Sequence, residues 1–172
     1  MLGRLLKDTR MNGAHLHLIV THLPVLGVGC GTILLGIGLW RKSRAVQQTA
    51  LSVLVLAGLA AGAAFLSGEG AEEAIERTLT GGKGYLERHE AAGLVGLIAA
   101  GLAGGIAIVV LGTSRRGRPL SRTLATANLI VALFASGILA WVANLGGQIG
   151  HPEIRNSQAP LRAEAADRDD PD

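Results

Sequence analysis

Residues 15–40 read HLHLIVTHLPVLGVGCGTILLGIGLW, 26 residues without a single Asp, Glu, Lys or Arg. At ~1.5 Å rise per residue, about 20 apolar residues cross a ~30 Å hydrocarbon core as a helix, so this stretch is long enough to span a membrane. Three more apolar stretches follow, over residues 50–67, 91–112 and 124–145. Four crossings alternate in direction, which brings the start of the first and third and the end of the second and fourth to one side. That side receives all five histidines, His15, His17, His22, His89 and His151, and all thirteen acidic residues. The reading is an all-α protein, a four-helix transmembrane bundle. It divides into a lead-in (1–14), a four-span domain (15–152) and a polar tail expected to be disordered (153–172).

Composition agrees. Of 172 residues, 49% are hydrophobic and 17% charged, and the mean hydropathy is +0.40. These values belong to membrane rather than soluble chains. A pI near 9.6 is compatible with a nucleic-acid partner, but the basic residues are split between both ends of the bundle. Two Trp, two Phe and one Tyr are also too few for a stacking platform, so no nucleic acid is expected. The single Cys30 excludes an intrachain disulfide. Arg4, Lys7 and Arg10 ahead of an apolar run resemble a signal peptide, but the run is too long for an h-region and Trp40-Arg41-Lys42 is no cleavage site, so the first segment is expected to be retained.

Orientation follows from the loops. Arg41, Lys42 and Arg44 after the first segment, and Arg115, Arg116, Arg118 and Arg122 after the third, make seven basic residues with no acid among them. By the positive-inside rule these loops are cytoplasmic and both termini lie on the other side of a bacterial inner membrane. Trp40 is then expected at the inner interface, and Tyr85 and Trp141 near the outer one. Between the second and third spans, Ser67–Leu79 reads as a short surface helix. Glu72/Glu76 and Glu73/Arg77 stand four apart, and Ala71, Ile75 and Leu79 form a stripe. Gly81-Gly82-Lys83-Gly84 then reverses the chain. Small residues four apart, Gly27/Gly31, Gly58/Gly62, Gly101/Gly105 and Gly146/Gly150, let helix backbones approach closely or leave room for a flat ligand.

One interfacial histidine is explained by its amphipathic ring; five on one side call for more, because imidazole is the commonest metal ligand and the usual axial ligand of haem iron. His15 and His22, seven apart, share a helical face, whereas His17 is rotated by about 140° from His22. Pro24 is expected either to kink the helix or to delay its start to near Thr21. In both cases His22 is expected to point into the bundle. His89 has Gly93 and Gly96 deeper on its own face, and His151 has Gly147 and Asn144. Carboxylates compete as ligands. Glu69 is the foremost of them, and a mixed site of His22, His89, His151 and Glu69 would suit a transition-metal ion. Glu87 stands two residues before His89, so the Glu-x-x-His signature of di-iron bundles is missing. There is no nucleophile arrangement, phosphate-binding loop or zincin motif, and the span interiors lack the charges an ion pump needs.

The segments His17-Leu18-Ile19-Val20-Thr21-His22-Leu23-Pro24, His89, and Gly146-Gly147-Gln148-Ile149-Gly150-His151 resemble a family of small bacterial four-helix membrane proteins classed as a domain of unknown function and often linked to cytochrome-like redox systems. The resemblance covers residues 15–152. Leu18 stands where that family often has proline, and Leu23 where it has an aromatic residue. The resemblance implies a membrane location and suggests haem or metal. From the residues, haem b is expected near the outer face on His22 with His89 or His151, and His17 in reserve. Its role would be electron transfer with a redox partner protein outside the cytoplasm, without catalysis by this chain alone and with a homo-oligomer as one assembly. The competing expectation is a cofactor-free scaffold or small transporter subunit.

Overall fold

The computed structural model describes residues 13–76, 83–114 and 119–155. They form helices α1 (Gly13–Trp40), α2 (Arg44–Leu66), α3 (Gly68–Glu76), α4 (Lys83–Thr113), α5 (Arg122–Gly150) and the single turn α6 (Pro152–Arg155). No strand occurs among the described residues. Four helices, α1, α2, α4 and α5, are long and apolar enough to cross a membrane, which marks a multi-pass membrane protein. The short α3 lies between the second and third spans, as expected. The helices run beyond the apolar stretches because backbone hydrogen bonding propagates once a helix is nucleated, whatever the polarity of the next side chain.

Each span is delimited by local chemistry. At the end of α1, Ser43 N–H donates to the Gly38 carbonyl (2.9 Å) and Lys42 N–H to the Leu39 carbonyl (3.3 Å). Lys42 sits at φ 54°. This is a Schellman closure with lysine where glycine is usual. Ser43 then serves as N-cap of α2, its Oγ accepting from Val46 N–H, and Ser121 does the same for α5 through Leu124 N–H. Gly38 permits the tight turn, since a Cβ there would lie 2.9 Å from the Gln47 backbone nitrogen.

α1 packs on α2 and α5, and α4 packs on the same two helices. α1 and α4 therefore face each other across the diagonal of a four-membered ring, and α3 lies against α1. The shared core is made largely of small residues, among them Ala50, Ala57, Ala61, Ala100, Ala103, Ala107, Ala125, Ala132 and Ala135, together with Val28, Leu35, Leu51, Leu54 and Val110. Larger apolar residues face outward: Leu26, Ile33, Leu59, Leu102, Leu133 and Phe134 are all more than half exposed. An apolar exterior around an alanine-rich interior matches a lipid bilayer, where small residues permit the close packing that drives helix association.

The glycine pairs divide. Gly27 packs on Ala57 and Gly31 on Leu54, while a Cβ on Gly58 would stand 3.1 Å from the Ala100 carbonyl oxygen and 3.4 Å from Gly104 Cα. Gly62, Gly101, Gly105 and Gly150 instead border open space. On α4 it is Gly104, not the expected Gly101/Gly105 pair, that meets α2. Pro24 neither delays nor ends α1, which is continuous from Gly13. Of the expected stripe on α3, Ala71 is buried; the side chains of Glu73, Ile75, Glu76, Arg77 and Leu79 and the turn at Gly81-Gly82 lie outside the described residues, as does the tail from residue 156. Residues 153–155 belong to the turn α6 rather than to that tail. Arg155 holds the turn down: its guanidinium donates to the Gln148 and Ile149 carbonyls and lies 4.8 Å from the centre of the Tyr85 ring. The C-terminal carbonyls of α5 thus gain a cationic donor.

Candidate functional site at the histidine end of the bundle

The four helix ends expected on one side do meet. His17 near the start of α1, Ser67 at the end of α2, His89 near the start of α4, and Val142 and Gly146 near the end of α5 form one cluster. Helical periodicity carries His17 there. The buried stripe of α1 runs Pro24, Val28, Thr32, Leu35 and Leu39, and His17, seven residues before Pro24, falls in line with it at ~100° per residue. On α4, His89 stands three and seven residues before the buried Ala92 and Gly96 and so lies on the buried face as well.

The two imidazoles meet across the diagonal with ring centres 6.4 Å apart and planes at 86°. Each is fixed through Nδ1. Ser67 Oγ donates its one proton to the Ala64 carbonyl (2.8 Å) and therefore accepts from His17 Nδ1–H at 2.9 Å. His89 Nδ1–H donates to the Val142 carbonyl at 3.1 Å. With Nδ1 carrying the proton in both neutral rings, Nε2 carries the lone pair. Metal-bound histidines are held in this way, with the non-ligating N–H tied to a backbone or side-chain acceptor.

Glycines surround the pair. A Cβ on Gly146 would come within 3.0 Å of His89 Cε1, and one on Gly68 within 3.8 Å of His17 Cε1. Gly93, one turn deeper than His89, is half-buried with open space where a side chain would stand. These positions keep side chains clear of both rings.

The expected site residues are thus sorted by the fold. His22, ranked first from sequence and expected to point inward, is exposed, and its Nδ1–H donates to the Leu18 carbonyl of its own helix. The reason is rotational: His22 stands two residues from Pro24, about 200° around α1 from the buried stripe. His15 is exposed on the same side. His151 is exposed at the C-cap of α5, where its backbone N–H donates to Gly147, and Glu69 is exposed on α3. Among the described residues no three His, Cys, Asp or Glu side chains gather closely enough to hold a metal ion. No family model, curated protein or solved structure matches this chain.

Sequence reasoning missed Ser67 as the partner of His17, although serine directly after an apolar segment is a cap signal. It also missed Asn128, fully buried on α5 with neither amide atom hydrogen-bonded. A carboxamide inside an apolar span was the available sign. Elsewhere on α1 and α5, Thr32 and Ser136 satisfy themselves on the Val28 and Ala132 carbonyls and approach each other at 3.2 Å.

Proposed function

We propose that this chain is a membrane subunit that would hold haem b at the histidine end of the bundle through His17 and His89, and that it carries electrons. The observation that carries the reading is the mutual disposition of the two rings. With metal–nitrogen bonds of about 2 Å and ring centres ~1 Å further out, two imidazoles that share one iron would have centres no more than about 6 Å apart. The separation of 6.4 Å lies close to that limit. Two side chains suffice for haem because the porphyrin supplies four of the six iron ligands, whereas a bare zinc or di-iron site draws three or more from the protein. The glycine surroundings and the Nδ1 hydrogen bonds support the same reading. When bound, the haem supplies a one-electron iron couple. Of the chain's own residues, Ser67 and the Val142 carbonyl orient the imidazoles, and Gly146 lets the His89 ring pack closely on α5.

The loops rich in Arg and Lys support a topology with the opposite end of the bundle in the cytoplasm of a bacterial inner membrane and the histidine end outside, where a redox partner would dock. The test is the absorbance of the detergent-purified chain from cells supplied with haem precursor. A Soret band that disappears in both His17→Ala and His89→Ala supports the proposal. A colourless preparation, or a band indifferent to both substitutions, overturns it in favour of a cofactor-free scaffold.

A further inference from the structure

At the other end of the bundle, a cavity of about 300 Å³ opens between the α1–α2 turn and the start of α5. Lys42, Arg44 and Arg122 line it, with Leu39 and Leu120 as apolar walls and the buried Gln47 beside them. No acidic residue takes part. Helices α2 and α5 both begin at this cavity, each with an arginine as its first residue and no acid in its first turn. The positive end of a helix favours carboxylates and disfavours cations. Two such ends, together with Lys42 and Arg122, therefore make one recess basic, and its lining holds no acidic residue. Gln47 offers no relief, since its side-chain amide donates to the Gly38 carbonyl (3.0 Å) and ties the turn together. Arg44 is held from one side by the Ser114 carbonyl (3.1 Å), which sets its guanidinium at the rim of α4.

We infer that this cavity binds the phosphate headgroup of an anionic phospholipid. The cations and helix N-termini match a phosphodiester, as basic recesses between membrane helices do for acidic lipid headgroups. The apolar walls are the lipid-specific feature: the buried Leu39 and the half-buried Leu120 give the recess an apolar floor beneath its basic rim, as the junction of headgroup and glycerol backbone would require. The exposed Trp40, adjacent to Leu39, stands at the depth of an aromatic belt. The site is remote from the histidine cluster and independent of it.

The test is native mass spectrometry of the full chain in a neutral detergent, with phosphatidylglycerol and phosphatidylcholine of equal acyl length as probes. Phosphatidylglycerol is expected to bind in preference, and Lys42→Asn/Arg122→Gln to weaken it on the order of 25-fold, about 5-fold per cation. Asparagine is chosen because it tolerates the left-handed backbone at position 42. Arg41→Gln removes a charge from the same turn but outside the lining and is expected to leave binding within about 2-fold of the parent. Where the double variant fails to fold, Arg122→Gln alone, with its ~5-fold loss, takes its place. Equal binding of the two lipids, an equal loss in Arg41→Gln, or unchanged binding in the cavity variants overturns the inference. Inorganic phosphate bound as tightly as the lipid would assign the recess to a free anion and overturn it too.

Discussion

His17 and His89 meet edge to face across the diagonal of the bundle, 6.4 Å between ring centres, although 72 positions separate them in the chain. Their helices, α1 and α4, are not neighbours in the ring of four, so the histidines face each other across its interior, where α2 and α5 supply the hydrogen-bond acceptors that orient them.

Exchange of individual histidines separates ligand from bystander. His17→Ala and His89→Ala are each expected to abolish the Soret band, while His22→Ala and His151→Ala retain it, because the latter two rings are exposed. The readout is haem content per chain by pyridine haemochrome. Loss of haem in His22→Ala with retention in His17→Ala would refute the ligand assignment.

Gly146→Ala places a methyl group 3.0 Å from His89 Cε1, so the ring must shift by a few tenths of an ångström and its hydrogen bond to the Val142 carbonyl is disturbed. Disturbance of an outer-sphere contact typically costs 10–100-fold in metal affinity, so haem affinity is expected to fall about 10-fold or more. Gly147→Ala on the next residue meets only Ile154, at 3.9 Å, and serves as the matched control. Haem titration of the apoprotein measures both.

The contact between α2 and α4 is backbone on backbone at Gly58 and Gly104. Gly104→Val overpacks it and is expected to cost about 1–3 kcal/mol. Gly101→Ala, bordering open space, gains helix propensity and is expected to be neutral or stabilising by up to ~1 kcal/mol. Denaturant titration in mixed micelles distinguishes them; equal losses would contradict this packing.

Asn128 is buried with both amide atoms unpartnered. Its desolvation is uncompensated, so Asn128→Leu, close in size, is expected to stabilise the bundle by about 1–2 kcal/mol. A rise in thermal midpoint in detergent is the expected result. A fall would mean that the amide makes a contact worth more than its burial costs.

Orientation is open to thiol labelling in a Cys30→Ser background. Arg41→Cys is expected to react only after the membrane is permeabilised, and Gly84→Cys with an impermeant reagent added outside. Both positions are exposed, so accessibility to the reagent is set by the side of the membrane.

What the sequence by itself determined is what each segment carries locally. Span length and apolarity are properties of single stretches such as 15–40 and 91–112, and the alternation of four crossings places all the histidines at one end without knowledge of packing. The surface helix after Ser67 was legible for the same reason. Which face of a span turns inward was not legible. α1 carries leucine and isoleucine on both sides, with Leu35 and Leu39 buried and Leu26 and Ile33 exposed. In a bilayer both environments are apolar, so no polarity pattern marks the inner face as it does in water. The 140° between His17 and His22 could be computed from the chain; which of them faced the bundle could not. That was decided by where α1 touches α2 and α5, through small residues such as Gly27 on Ala57, and this contact turned His17 toward His89 and left His22 to the outside.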